Sequence, residues 1–148
     1  MGLRRQAREA ALQILYLSDV AKINGDESAR IIWAGMDFPP RARRFADALA
    51  AGTLSHRMGI DALITRFAEN WEIGRMAAID RNLIRLAAFE LLHEAGTPVS
   101  VVIDEAVEMA KTFSTQDSGK FVNGILDKIK AERPAPPPAP PDLSPELF

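Results

Sequence analysis

The sequence predicts an all-α protein of about seven helices joined by short loops. Apolar residues recur at intervals of three and four along most of the chain, the period of a helix with one buried face. Breaks at Asn24-Gly25-Asp26, Asp37-Phe38-Pro39-Pro40 and Gly96-Thr97-Pro98 cut that pattern into helix-length pieces. No segment alternates apolar and polar residues for long enough to make a strand.

Ala7, Ala10, Ala11, Ile14, Leu15 and Leu17 mark the first helix, from Leu3 to about Val20. Beyond the Asn24-Gly25-Asp26 break, Ile31, Ile32, Trp33 and Met36 form a shorter segment. Pro40 suits the first position of the next helix, where its missing N–H costs nothing. That helix carries Phe45 and Leu49, with Ala46, Ala50 and Gly52 small enough to permit close packing. Ile60, Leu63, Ile64 and Phe67 make a further stripe, with Asp61 near its start. After Asn70-Trp71, a strong helix uses Met76, Ile79, Leu83, Leu86 and Ala87 and runs to about His93. Ser100 is the expected cap of a helix built on Ile103, Ala106, Val107, Ala110 and Phe113. The last helix opens at Asp117 or Ser118 and carries Phe121, Val122, Ile125, Leu126 and Ile129. From Pro134 the composition changes: seven of the ten prolines lie between Pro134 and Pro145. The division is a helical domain over 1–133 and an extended, polyproline-like tail over 134–148.

At 148 residues and 47% hydrophobic composition, the chain can bury the core of one domain. Its net charge is -2, so any basic site must be local. It has no cysteine, which excludes disulfides and thiolate metal sites. Without a membrane-length apolar run or a secretory signal, the expected compartment is the cytoplasm. Catalysis has no support. His56 and His93 stand in no metal-ligand motif, and no Ser, Thr or Lys stands in a nucleophile box. Gly119 and Gly124 have P-loop spacing, but Ile125 follows where Lys-Ser/Thr is needed, so no cofactor is expected. Asp104, Glu105 and Glu108 read as a solvated face, with Lys111 at helical spacing from Glu108.

The basic residues are more informative. Arg4, Arg5 and Arg8 open the first helix, and Arg41, Arg43 and Arg44 follow Pro40. The macrodipole disfavours cations at such ends by a few tenths of a kcal/mol, roughly, so an anionic partner would explain them. Arg5, Glu9, Leu12 and Tyr16 share a stripe, which offers phosphate binding at one end and base stacking at the other. Glu9 opposes this unless it pairs with Arg5 or Arg8. In the final helix, Lys120 and Phe121 fall in the first turn, beside unpaired N–H groups that attract phosphate. Two readings of Phe121 stand: a ring that stacks on a base, or a core anchor behind an Asp117 or Ser118 N-cap.

Read together, RRQAREAALQILY, IDRNLIRLAAFELL and VIDEAVEMAKTFSTQDSGKFVNGILDKI make the chain from Arg4 to about Lys130 resemble the NusB family of bacterial transcription antitermination factors. The most specific block is Asp117-Ser118, Lys120 to Gly124, and Leu126-Asp127. The resemblance implies two small helical bundles packed together. It also implies binding to the single-stranded boxA element of ribosomal RNA leaders, in company with NusE, the ribosomal small-subunit protein. That assembly joins the elongating RNA polymerase and other Nus factors and suppresses termination. By the same resemblance Arg4, Arg5, Tyr16, Phe67, Asp117, Lys120 and Phe121 are RNA-side residues, and Asp80 with Arg81 faces NusE. The basic run is short, with Gln6 interrupting it, and the segment from Val20 to Pro40 matches no family pattern. Two other readings are an RNA-targeting module for an RNA methyltransferase and a homodimeric protein-interaction module.

Overall fold

The computed structural model describes residues 2–135. Seven α-helices run in order: α1 (Leu3–Ala21), α2 (Gly25–Ala34), α3 (Pro40–Ser55), α4 (Arg57–Phe67), α5 (Ala78–His93), α6 (Val99–Phe113) and α7 (Gln116–Ile129). Short 3-10 turns occupy Ile73–Arg75 and Lys130–Glu132, and there is no strand among the described residues. The first three helices pack on one another, as do the last four, while α5 also lies against α1 and α3. That makes α5 the shared wall of two bundles, and it is buried almost all round, from Asn82 to Leu91. Full burial of a Leu or Ile side chain stabilises by about 1.5–3 kcal/mol. Leu83, Ile84 and Leu91, each 0% exposed, therefore anchor the joint.

The small-residue face of α3 does what its composition predicts. A Cβ placed on Gly52 would lie 2.1 Å from the ring tip of Phe89 on α5, so only glycine admits that ring. α3 begins at Pro40, as expected.

Elsewhere the helix starts differ from the expected ones, in each case because another residue supplies the cap. The Asn24-Gly25-Asp26 break is itself a start: the Asn24 side chain accepts the Glu27 N–H at 2.8 Å. Asp26 and Glu27 then complement the N-terminal dipole. The unmatched segment from Val20 to Pro40 thus contains a helix, pinned by buried Trp33, whose Nε1 donates to Asp47 at 2.7 Å. α6 is capped at Pro98 rather than Ser100, since the Val101 and Val102 N–H groups both bond the Pro98 carbonyl at 3.1 Å. α7 is capped by Thr115, whose hydroxyl accepts the Ser118 N–H at 3.0 Å, so Asp117 and Ser118 lie inside the first turn. At the far end, Arg133 donates to the carbonyls of Glu94 and Thr97 at 3.0 and 2.7 Å, tying the chain to the α5–α6 loop. The proline-rich tail lies outside the described residues from Pro136 onward.

Candidate nucleic-acid interface

α1 and α3 begin at the same end of the molecule. Leu3, Arg4 and Ala7 face Arg41, Ala42 and Phe45 across a cleft of about 370 Å³. The Arg4 guanidinium lies 4.9 Å from the centroid of the Phe45 ring, a cation–π contact. The three arginines of α1 have different fates. Arg4 is exposed and meets no carboxylate among the described residues, whereas Arg5 forms an ion pair with Glu105 of α6. Arg8 is buried against Glu90, with Nε–Oε1 and Nη2–Oε2 at 2.9 and 2.6 Å. The Glu90 hydrogen bonds hold the guanidinium more firmly protonated, while burial works the other way. Glu105 was expected on a solvated face. It is spent on Arg5 instead, and neither Arg5 nor Arg8 neutralises Glu9.

Further along α1, Tyr16 is 39% exposed. With Glu9, Leu12, Ile79 and Phe113 it lines a surface cavity of about 260 Å³. Phe113, expected in the core of α6, ends that helix with 41% of its surface in solvent, because the chain turns into the α7 cap directly after it. One residue on from Ile79, Asp80 lines a second cavity of about 320 Å³ with Trp71, Thr115, Asp117 and Phe121. The two cavities draw on neighbouring stretches of chain, Ile79 and Asp80 at the start of α5 and Phe113 and Thr115 at the α6–α7 turn.

Phe121 is half-buried against the core and meets Trp71 edge-on, ring centroids 6.0 Å apart. One side of the ring packs on the core and the other lines the cavity. Asp117 is exposed in the first turn of α7, whereas Lys120 is exposed one turn further on. With Thr115 as the cap, neither Lys120 nor Phe121 stands in the first turn beside the unpaired N–H groups, where the sequence had placed them. Asp80 is 8% exposed, and its Oδ2 accepts the Ser118 hydroxyl at 3.0 Å while Oδ1 has no hydrogen-bond partner among the described residues. Arg81 is held down by Asp19 at 2.8 Å and by the carbonyls of Ile73 and Met76. Burial pushes the Asp19 carboxyl up, but hydrogen bonds from Asn82 and Arg81 and the charges of Arg81 and Arg85 outweigh it. The group is held below the usual carboxylate range. Arg85 also grips Asp61 of α4 through two bonds, at 2.7 and 3.0 Å. This network fixes α5 relative to α1 and α4, and so fixes the orientation of Asp80.

Phe67 lies apart from this face. It ends α4 under the Arg66 guanidinium, 5.0 Å from the ring centroid, and its carbonyl accepts from Lys128 at 3.5 Å, beside the far half of α7. The ring beside Phe121 is Trp71, which sequence reasoning passed over. Its signal was there: a large aromatic between Asn70 and Glu72 in a polar loop. Phe113 had no such signal. His56 and His93, distant in sequence, have rings 4.0 Å apart, yet no group of three or more potential metal ligands occurs among the described residues. No helix among them is long and apolar enough to cross a membrane.

Comparison with known proteins bears on this arrangement. The profile described as "NusB family" matches residues 5–131. A transcription antitermination protein NusB from Geobacter sulfurreducens is 46% identical over 138 residues, covering 90% of this chain and 98% of the relative. The solved structure of T. maritima NusB superposes with a TM-score of 0.81 at 38% identity, covering 88% of this chain and 92% of that one. A chain from a complex described as antitermination factors NusB and NusE with double-stranded RNA superposes with a TM-score of 0.80 at 26% identity, covering 88% and 97%.

Proposed function

This chain belongs to the NusB family, and from that premise we propose that it is a transcription antitermination factor that binds boxA-type single-stranded RNA of ribosomal leaders together with NusE. The observation that carries the RNA reading is the face from α1 to α7. Tyr16 and Phe113 line one of its cavities and Trp71 and Phe121 the other, with Lys120 next to Phe121 on α7 and Arg4 at the start of α1. Rings with one open side offer stacking platforms to unpaired bases, and nearby cations hold the phosphates. Arg4, Arg5, Tyr16, Asp117, Lys120 and Phe121 are assigned to RNA, while Phe67, apart from this face, is left out of the assignment.

The solved complex of NusB and NusE with double-stranded RNA, one chain of which has this fold, supports a protein partner. We assign that contact to Asp80 and Arg81, Asp80 by its charge and Arg81 by holding the edge of α5. The functional unit is taken as residues 1–133. It acts in the cytoplasm with the elongating polymerase and other Nus factors, and we assign it no catalytic role.

The test is a titration of labelled boxA-type RNA against this protein, alone and with NusE. We expect the pair to bind more tightly than the chain alone, and RNA to tighten the NusE contact by the same factor. No RNA binding in either arm would overturn the assignment.

A further inference from the structure

Six arginines crowd the end where α1 and α3 begin: Arg4, Arg5 and Arg8 on α1, and Arg41, Arg43 and Arg44 on α3. Three are already neutralised, Arg5 by Glu105, Arg8 by Glu90, and Arg43 by Asp47 at 3.9 Å. Among the described residues Arg4, Arg41 and Arg44 have no carboxylate partner, and neither helix carries an acidic residue in its first turn. Arg4 and Arg41 line the same cleft, and Arg44 lies one turn beyond Arg41 on the same side of α3. Phe45 forms the floor between them and carries Arg4 above its ring, which holds that guanidinium toward α3.

Three unpaired cations on two adjacent helices repel one another in the free protein. A polyanion laid across them removes that repulsion and satisfies the guanidinium donors. We propose that Arg41 and Arg44 continue the RNA path beyond Arg4, so that the strand crosses from α1 onto the start of α3 and leaves its phosphates on this cleft. The inference rests on the RNA-binding reading above and extends its site to residues that the family resemblance does not assign. Tyr16 and Arg4 are twelve residues apart on one helix, about 18 Å along its axis. A strand that stacks at Tyr16 and is held at Arg4 must therefore run the length of α1 before it meets α3. The cleft serves the flank of the RNA rather than its central element. Its contacts are to phosphate, so they are blind to base identity.

The experiment compares wild type, R4A, the R41A/R44A double variant and the charge-preserving R41K/R44K variant, each full-length and with NusE. The probes are a labelled boxA-type RNA and the same RNA extended at each end in turn. Wild type is expected to gain affinity from one extension and not the other, and R41A/R44A to lose that gain. The double variant should also flatten the slope of log affinity against log salt on the extended RNA by about 1.4, at about 0.7 per lost phosphate contact. R41K/R44K should retain most of both. Melting temperatures of R41A/R44A should hold or rise, because neither arginine makes an ion pair among the described residues and their mutual repulsion is removed. If R4A weakens binding while R41A/R44A matches wild type in affinity and slope on every probe, the path does not cross α3 and this inference fails alone. If wild type binds no RNA, it falls together with the function from which it extends.

Discussion

The guanidinium of Arg8 and the carboxylate of Glu90 meet in a two-point ion pair, each side chain under 5% exposed, that clamps α1 to α5. In sequence Arg8 reads as one more member of a basic run. In the fold it belongs to the core. Removing one partner strands the other charge, so Arg8→Ala or Glu90→Ala should cost about 3–5 kcal/mol of folding stability. The double variant R8M/E90L should recover much of that. Urea denaturation measures it, and a single variant as stable as wild type would show the pair to be dispensable.

Arg4 and Arg5 should separate in an RNA titration although they are adjacent. Arg4 meets no carboxylate among the described residues, so Arg4→Ala should weaken binding to every sequence and flatten the salt slope by about 0.7. Arg5 is tied to Glu105, so Arg5→Ala should do less. Glu105→Gln should release Arg5 and tighten RNA binding. An affinity unchanged in Glu105→Gln would mean that Arg5 takes no part.

Phe121 packs on one side and lines a cavity on the other, so its truncation should register in two measurements. Phe121→Ala should lower RNA affinity by about 1–3 kcal/mol with the salt slope unchanged. Being only half-buried, it should lower folding stability by less than the roughly 3–5 kcal/mol of a fully buried phenylalanine. Trp71→Ala, at a residue 56% exposed, should show an affinity loss with a smaller change in melting. A Phe121→Ala protein that melts far below wild type yet binds normally when folded would leave only the packing role.

Asp80 offers a charge whose removal need not disturb the fold. Asp80→Asn keeps the oxygen that accepts from Ser118 and replaces the unpartnered Oδ1 with a neutral amide. Thermal stability should hold or rise, while NusE affinity measured by calorimetry should fall. Equal affinity for NusE would take Asp80 out of that interface.

Protonation should act through His93. Burial, and then the neighbouring His56 charge, hold His93 below its usual value, with Glu94 opposing them. A folded-state value below the unfolded one means that the unfolded chain takes up the proton first. The stabilising contribution is complete above the ordinary histidine range, about 6.5, and is lost as pH falls through the depressed value. Melting temperature should therefore decline across that window, and His56→Gln should soften the decline. Asp19 acts the same way at lower pH: its contribution is present above the unfolded carboxylate range and is lost as pH falls through its depressed value. A His56→Gln profile identical to wild type would remove the histidine pair as a cause.

Much of the architecture was legible along the chain because its causes are local. A helical period, a proline at Pro40 and a small-residue face at Gly52 act within a turn or two, and they predicted the seven helices and a face of α3 fit for close packing, though not that Phe89 of α5 would fill it. The starts of α2, α6 and α7 were harder. Asn24, Pro98 and Thr115 compete with equally plausible neighbours, and only the realised hydrogen bonds choose among them. The basic site divides the same way. The sequence by itself determined that arginines would gather at the beginnings of α1 and α3. Which of them stay free was decided by Glu105 and Glu90, which reach Arg5 and Arg8 from 100 and 82 residues away. Likewise Trp71, not Phe67, came to stand beside Phe121. Periodicity determines which side of a helix is apolar, but it carries no information about which distant carboxylate or ring will be packed against that side. That is set when α5 is enclosed by both bundles.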